Sequence, residues 1–347
     1  MPTTLRSSLS AHLKYFSLIF LTFQSTILTL LMKYSRDKHQ PYNPSVIVCM
    51  VELLKLAISF SLECFINQQG STRRTYLVIK YDIQKHQKEF WKLAIPAALY
   101  AIQNNLCYLA LKHLSAVSFQ VIYQMKILTT ALFSVLILGR RIEYGHWVSL
   151  WILMIGVVAV QLSGKNQMDS SGSSSWFGFL VLLFNSISSG FAGVYFELLS
   201  KAPKTGCVRT RVRPKSLWMQ SFQLGILGFA FSALVALFTP SEQNVNLLSS
   251  LKGWTILTVA LQSVGGLLVA VVIRYADNIQ KAFATSLSIV LCSFISIVFL
   301  GHQLPLELLL GSALVVVAVV LYARAEKSTS VTRSKGLPRR IQSAEKL

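Results

Sequence analysis

Two lysines lie in stretches that are otherwise apolar, and they are the residues best placed to do chemistry at the depth of a membrane. Lys126 is in the middle of a run from residue 116 to 138, and Lys281 opens a similar run from residue 281 to 300. A charge at the centre of a bilayer costs about 2.5–3.5 kcal/mol even on lenient insertion scales. Two such charges indicate a protein that holds an anion inside the membrane.

A counter-charge within the protein is the alternative explanation for Lys126. Glu52 and Glu197 are the candidate carboxylates for such a structural ion pair. Glu52 already has Lys55 three residues later, on the same side of a helix, so Glu52 and Lys55 are predicted to pair with each other. The residue types alone leave both explanations of Lys126 open.

Polar residues also lie within the apolar stretch from residue 90 to 111. Tyr100, Asn104 and Tyr108 recur at helical spacing, with Gln103 and Asn105 beside them. Amide and phenol groups in lipid must find partners, so this face is expected to point into a helix bundle or a cavity. The groups suit either contact between helices or recognition of a nucleobase by edge hydrogen bonds and stacking.

Two further sets of residues extend this candidate site. Phe119 and Tyr123 precede Lys126 in the same stretch, and Tyr123 is one helical turn away from the lysine. Ser189 and Gly193 belong to a run of small residues near position 190, where a second helix or a ligand can approach the backbone closely. Close helix packing alone explains these small residues equally well.

The elements that must position these residues are long apolar helices. The chain is 53% hydrophobic and 13% charged, with its apolar residues in blocks. This pattern predicts an all-α polytopic membrane protein with ten transmembrane helices. They are predicted at residues 15–33, 46–66, 90–111, 116–138, 147–163, 176–199, 217–238, 255–274, 281–300 and 306–323.

The net charge of +20 is explained by topology rather than by a nucleic-acid partner. Most lysines and arginines lie in the termini and in alternate connections, which places both termini in the cytosol. We therefore expect a cytosolic N-terminal tail at residues 1–14 and one transmembrane domain at residues 15–323, with a basic cytosolic loop at 200–216. A disordered cytosolic C-terminal tail is expected at residues 324–347.

A weak internal repeat relates the two halves of the chain. Lys126 and Thr130 recur as Lys281 and Thr285 at the same spacing. The match pairs the fourth helix with the ninth, which is a shift of five helices. Because an odd number of spans reverses the direction of the chain, this shift predicts two five-helix repeats that are inverted in the membrane. The predicted repeats are residues 15–163 and 176–323. Transporters often place a midplane site between such repeats, although chance similarity between apolar segments is the alternative.

Motifs of enzymes are missing from the sequence. We find no metal-ligand spacing, phosphate-binding glycine loop or nucleophile elbow. The sequence therefore predicts a protein that is not an enzyme and that needs no cofactor or metal.

Several of these stretches resemble the nucleotide-sugar transporters, in the branch for UDP-galactose, UDP-N-acetylglucosamine and CMP-sialic acid within the drug/metabolite transporter superfamily. The stretches are LKY at 13–15, ELLK at 52–55, LYAIQNN at 99–105, YQMKILTTAL at 123–132, SGFAGVYFE at 189–197 and YADNIQK at 275–281. In this order and combination they are highly specific. The resemblance runs from about residue 13 to residue 322.

The resemblance implies two inverted five-helix halves in a Golgi membrane, or an ER membrane, with both termini cytosolic. It also implies exchange of a cytosolic nucleotide sugar for the lumenal nucleoside monophosphate by alternating access, and the sub-branch described below makes these a UDP-sugar and UMP. Lys126 and Lys281 match the residues that contact the phosphates. The remaining pocket positions are Tyr100, Asn104, Phe119, Tyr123, Ser189 and Gly193.

Some positions depart from the family pattern. Tyrosine is usual at Phe119 and lysine at Leu198, and an Arg-Asn pair stands where this chain has Gln220-Ser221. Ser221 thus takes the place of an asparagine that helps to hold the nucleotide. Residues 202–215 look like an insertion. These departures keep open a non-transporting membrane scaffold that binds glycosyltransferases.

The sub-branch is indicated by residues 127–130 and 284–286. Both segments are similar to the UDP-galactose and UDP-N-acetylglucosamine members, and the CMP-sialic acid members differ there. A CMP-sialic acid/CMP exchanger remains the alternative substrate class. Whether the protein forms a homodimer is also left open.

Overall fold

The structure is a computed structural model that describes residues 3–38, 44–113, 119, 122–163, 176–201, 216–238, 253–300 and 306–335. Twelve helices lie in these residues, and no strand does. They are α1 (Thr3–Lys38), α2 (Pro44–Asn67), α3 (Thr72–Lys85), α4 (Gln87–Lys92), α5 (Ala94–His113), α6 (Met125–Leu138), α7 (Tyr144–Ser163), α8 (Trp176–Ser200), α9 (Leu217–Phe238), α10 (Gly253–Tyr275), α11 (Asn278–Leu300) and α12 (Leu306–Lys335).

Within the described residues, six helical segments are long and apolar enough to cross a membrane. They are His12–Leu31, Trp176–Ser200, Leu217–Leu237, Gly253–Tyr275, Asn278–Ile295 and Leu306–Ala325. Two shorter apolar segments are Met125–Leu138 and Tyr144–Val160. The predictions of an all-helical architecture and of several membrane spans are therefore confirmed. Each of the ten predicted stretches also overlaps a described helix, and the stretch 90–111 overlaps two.

Helix α3 was not predicted, and the predicted stretch 90–111 is divided at Leu93 into the end of α4 and α5. The two short helices fill the connection between α2 and α5. The chain turns after α2 at Gln69 and Gly70, which both have positive φ angles of 54° and 81°. The side chain of Ser71 then caps α3 by accepting a hydrogen bond from the Arg74 backbone N–H at 3.3 Å. Their sequences are too polar to show the long apolar run by which the spans were predicted.

Two predicted boundaries are corrected by the structure. Helix α11 begins at Asn278 rather than at residue 281, because the Asp277 carboxylate accepts the Gln280 backbone N–H at 2.7 Å and so caps the helix. Lys281 therefore lies in the first turn of α11. At the C-terminus, α12 continues to Lys335, although disorder was predicted from residue 324. Alanine, arginine, glutamate and lysine after residue 322 favour propagation of an existing helix.

Polar side chains of modest size connect the apolar helices. Thr22 and Thr26 of α1 donate hydrogen bonds to the Ala284 and Ser288 carbonyls of α11 at 3.2 and 3.3 Å. Thr129 of α6 similarly donates to a carbonyl of α8 at 2.9 Å. Such hydrogen bonds help helices to associate in lipid, where the hydrophobic effect does not favour contact between helices. They position α11 and α8 around the residues that the sequence singled out.

Two glycines allow α7 and α12 to cross at close range. A Cβ atom on Gly311 would lie 2.7 Å from the Val160 backbone nitrogen and 2.8 Å from the Gly156 carbonyl oxygen. A Cβ atom on Gly156 would lie 3.0 Å from the Gly311 carbonyl oxygen. Because backbone atoms line this crossing, neither helix can yield without moving as a whole.

Gly311→Ala is therefore expected to destabilise the protein, by about 1–3 kcal/mol as in other overpacked interiors. Thermal unfolding of the purified protein measures the effect. Gly145→Ala is the matched control in the same helix pair, because its Cβ would meet only the Ala325 Cβ at an ordinary 3.6 Å. Equal stability of the two variants would contradict the close crossing.

Candidate functional site

A cavity of about 260 Å³ lies among α2, α5, α8, α9 and α10. Tyr100 and Ser221, both singled out from the sequence, line this cavity together with Glu52, Lys55 and Phe196. Ser221 is buried, and its hydroxyl has no hydrogen-bond partner among the described residues. A buried, unpartnered hydroxyl in a cavity wall is available to a ligand.

The ion pair in the cavity wall is seated against two glycines. The Lys55 ammonium donates to both oxygens of the Glu52 carboxylate, at 2.8 and 2.9 Å. A Cβ atom on Gly228 would lie 2.9 Å from the Glu52 carboxylate, and one on Gly266 would lie 3.1 Å from Lys55 Cε. Helices α9 and α10 therefore come close to the pair because they present no side chain there.

A second group of predicted residues surrounds Lys126. The rings of Phe119 and Tyr123 stack with their centroids 5.6 Å apart, and the Lys126 ammonium lies 3.9 Å from the centre of the Tyr123 ring. Lys281 of α11 is close enough to Lys126 for the two ammonium groups to repel each other, and Glu197 attracts Lys281. Two neighbouring cations beside stacked aromatic rings make a site suited to an anion with a flat ring system.

The small residues of α8 face the start of α11. A Cβ atom on Gly193 would press against the Asn278 side chain, so a larger residue here would require this asparagine to move. Ser189 lies one turn earlier on α8 and is half-buried. Asn104 lies in α5, and its side chain is outside what the structure describes. The insertion at 202–215 also lies outside the described residues.

A cluster of charges that the sequence did not predict joins three helix ends. The Glu197 carboxylate is fully buried and accepts hydrogen bonds from Arg140, from Lys201 at 2.6 Å and from the Asn278 backbone N–H at 3.0 Å. Arg140 also pairs with Asp277 at 3.1 Å. We refer to Arg140, Glu197, Lys201 and Asp277 as the Glu197 cluster. It ties the end of α6 and the end of α8 to the connection between α10 and α11.

The two cations of the Glu197 cluster respond differently to burial. Burial opposes the charge of Arg140, but Asp277 and Glu197 outweigh it and raise the pKa of the guanidinium above its ordinary value. Burial lowers the pKa of Lys201, and the attraction of Glu197 compensates only in part. Arg140 is therefore a permanent cation in the cluster, and Lys201 is the cation whose proton is held less firmly.

The hydrogen-bond partners of Glu197 clarify two questions left by the sequence. Glu197 was a candidate counter-charge for Lys126, but it forms its close ion pairs with Arg140 and Lys201. Leu198, where the family pattern has lysine, is 43% exposed, in contrast to the buried Glu197 beside it. The four-residue spacing of Glu197 and Lys201 was a local signal for their pair. No local signal exists for Arg140 and Asp277, which are distant in the sequence.

The chain is thus a multi-span α-helical membrane protein with a cationic site among its helices. It belongs to the nucleotide-sugar transporter family, whose profile matches residues 9–323. This confirms the resemblance found in the sequence.

Curated relatives match nearly the whole chain. A mouse UDP-N-acetylglucosamine transporter is 42% identical over 325 residues, covering 90% of this chain and 96% of its own length. A UDP-galactose/UDP-N-acetylglucosamine transporter of Caenorhabditis elegans is 37% identical, covering 91% of this chain and 84% of its own length. A UDP-galactose transporter of Schizosaccharomyces pombe is 36% identical, covering 96% and 94%. The relatives are transporters, which confirms that the chain is not an enzyme.

One solved crystal structure shares the fold. It superposes with a TM-score of 0.60 and covers 92% of this chain and 99% of its own, at 14% sequence identity. At this level of identity the match is informative about the helical architecture alone.

Proposed function

We propose that this protein is an antiporter that exchanges a cytosolic UDP-sugar for lumenal UMP in the Golgi membrane. UDP-galactose and UDP-N-acetylglucosamine are the proposed substrates, because they are the substrates named for its relatives. The observation that carries the proposal is the Lys126 ammonium over the Tyr123 ring, which stacks on Phe119, with Lys281 within electrostatic range. The ER membrane is the alternative location.

The diphosphate is the part of the substrate that the two lysines would hold. Two like charges in a low-dielectric site repel each other, and an anion bound between them would reduce that repulsion. A UDP-sugar and UMP both supply such an anion, whereas an uncharged sugar does not. The stacked aromatic pair offers the nucleotide base a face, and Tyr100, Asn104, Ser189 and Gly193 are proposed to complete the pocket.

The cavity beside the Glu52–Lys55 pair is proposed to take another portion of the same substrate. Tyr100 and the unpartnered hydroxyl of Ser221 lie in its wall and can bond sugar hydroxyls or a base edge. Phe196 lines this cavity, and the next residue, Glu197, acts electrostatically on Lys281. Neighbouring residues of α8 therefore connect the cavity with the site at Lys126 and Lys281.

The proposed topology has ten spans in two inverted halves, with both termini in the cytosol. Overlap of the ten predicted stretches with described helices supports it. Gly156 and Gly311, which contact each other across α7 and α12, have the same separation in sequence as Lys126 and Lys281. A contact between equivalent positions is expected near a pseudo-twofold axis in the membrane plane.

On this topology the Glu197 cluster lies on the cytosolic side and keeps that side closed. Below it, Leu93, Phe196, Leu227 and Ile273 form a buried apolar cluster, and Phe196 also lines the cavity. Charges and apolar packing together would block the path from the cytosol to the cavity. Loading of a cytosolic UDP-sugar would therefore require the contacts of the Glu197 cluster to separate in every transport cycle.

Exchange in sealed vesicles tests the function. The purified protein in lipid vesicles is expected to take up labelled UDP-galactose or UDP-N-acetylglucosamine when the vesicles are preloaded with UMP, and to take up little without it. The reason is that a bound nucleotide stabilises the occluded state through which the carrier changes sides. Uptake that is equally fast in empty vesicles would contradict the exchange mechanism.

The same vesicles separate the alternative functions. Uptake of CMP-sialic acid against CMP, without uptake of either UDP-sugar, would replace the proposed substrate class. Failure to move any nucleotide sugar by a protein that unfolds cooperatively would favour the scaffold that binds glycosyltransferases. The departure from the family pattern at Gln220-Ser221 and the insertion at 202–215 motivate the scaffold alternative.

A further inference from the structure

Helix α3 turns a face of mixed apolar and basic character away from the rest of the protein. Leu77 and Tyr81 are one turn apart on this face, and they are 54% and 59% exposed. At helical spacing the flanking cations are Arg73 and Lys80 on one side, and Arg74 and Lys85 on the other. All four are exposed. We refer to these six residues as the α3 face.

The opposite side of α3 is fixed to the helix bundle. Thr75 and Ile79 are buried, and the Asp82 carboxylate accepts a hydrogen bond from Gln223 of α9 at 2.7 Å. Gln223 lies six residues after Leu217, the first residue of α9, which is about 9 Å along a helix. Helix α3 therefore lies beside the second turn of α9, one of the helices long and apolar enough to span a membrane.

The charge on this part of the surface has one sign. Residues 72–92 are described throughout, and neither of their carboxylates is exposed, since Asp82 and Glu89 are both partly buried. Lys85 extends along Tyr81, donates to its hydroxyl at 2.8 Å and lies 5.1 Å from the ring centre. A lysine that covers an aromatic ring in this way keeps its ammonium at the water boundary.

We propose that the α3 face is a binding surface for anionic phospholipid headgroups of the cytosolic leaflet. The positive charges complement the phosphates, and Leu77 and Tyr81 enter the boundary with the acyl chains, as in interfacial amphipathic helices. Topology alone requires cations somewhere in a cytosolic connection, but it does not require them to flank exposed apolar residues on one helix face. The proposal does not depend on which nucleotide sugar is carried.

Binding of phosphatidylserine to the purified protein, measured by native mass spectrometry, tests the proposal. Phosphatidylserine is expected to bind more tightly than phosphatidylcholine, and each cation removed from the α3 face should weaken it by about fivefold. The variant in which Arg73, Arg74, Lys80 and Lys85 are all glutamine should lose the preference. In lipid nanodiscs, phosphatidylserine should slow hydrogen exchange of residues 72–85 relative to phosphatidylcholine.

A single-charge comparison separates the α3 face from bulk charge. Lys80→Gln and Arg141→Gln each remove one exposed cation, and only the first lies on the face. Lys80→Arg keeps the charge and should keep the lipid preference. Equal phosphatidylserine affinity of Lys80→Gln and Arg141→Gln would overturn the proposal, as would unchanged exchange of residues 72–85. If the quadruple variant does not fold, the affinities of the two single variants and the hydrogen exchange of the wild type still test the proposal.

Discussion

Lys126→Gln is expected to lower UDP-sugar/UMP exchange in vesicles by at least about thirtyfold, because removing one partner of a desolvated charge pair costs about 2–5 kcal/mol. The same loss is expected for Lys281→Gln. Each lysine would supply one of two ammonium groups to the diphosphate, and a glutamine amide has no charge to replace it. Initial exchange rates at saturating UMP preload give the measurement.

The stability of the empty protein distinguishes the two explanations of Lys126. If a carboxylate of the protein paired with Lys126, its removal would leave a buried charge and destabilise the fold. If Lys126 serves to bind an anion, Lys126→Gln relieves its repulsion of Lys281 in the empty protein. That relief offsets the lost contact with the Tyr123 ring, a contact worth about 0.5–2 kcal/mol. We therefore expect thermal unfolding of the ligand-free variant to match that of the wild type.

UDP provides the internal control for this pair of variants. It should stabilise the wild type against thermal unfolding and stabilise Lys126→Gln much less. Lys92→Gln removes an exposed lysine at the end of α4 and should behave as the wild type in both assays. Wild-type exchange by Lys126→Gln or Lys281→Gln would refute the phosphate role of that lysine.

Glu197→Gln is the second variant with a large expected effect, because it leaves Arg140 and Lys201 without their shared carboxylate. Breaking a buried pair costs about 3–5 kcal/mol, and partial solvent access of the two cations reduces this to roughly 2 kcal/mol. On the proposed topology this energy stabilises the conformation that is closed to the cytosol. The half-saturating UDP-sugar concentration on the cytosolic side should therefore fall, while the maximal exchange rate also falls.

Glu63→Gln is the matched control for Glu197→Gln. Glu63 is also a buried carboxylate in a helix end, but its partners are the neutral side chains of Asn67 at 2.8 Å and Ser216 at 2.6 Å. Its replacement leaves no unpaired cation and should leave half-saturation unchanged. Adding Lys201→Met to Glu197→Gln should restore part of the lost stability, since the two positions are coupled. Lower stability with unchanged half-saturation would indicate a purely structural role for the Glu197 cluster.

The helices of this protein were predictable because a membrane span needs about 20 apolar residues, and that is a local property of the chain. Residues that share one helix face were predictable for the same reason. Phe119, Tyr123 and Lys126 were grouped from their spacing, and the structure places the three in contact. Helix α3 and the first half of α4 were missed because their amphipathic sequences resemble a polar connection.

Contacts between helices could not be read from spacing. Helical periodicity defines which residues share a face, but it does not define which helix that face meets. Glu197 could have served Lys126, Arg140 or Lys201, and the packing of α6, α8 and α11 selects the last two. Tyr100 and Ser221, which belong to helices far apart in the sequence, meet only at the cavity.

The sequence by itself determined the class of the protein, its family and the two lysines that lie within apolar stretches. It could do so because these features depend on composition and on short motifs. The tertiary structure alone decided that Glu197 joins three helix ends and that α3 presents a basic face beside α9. These features depend on the relative placement of helices, which arises from side-chain packing between segments remote in the chain.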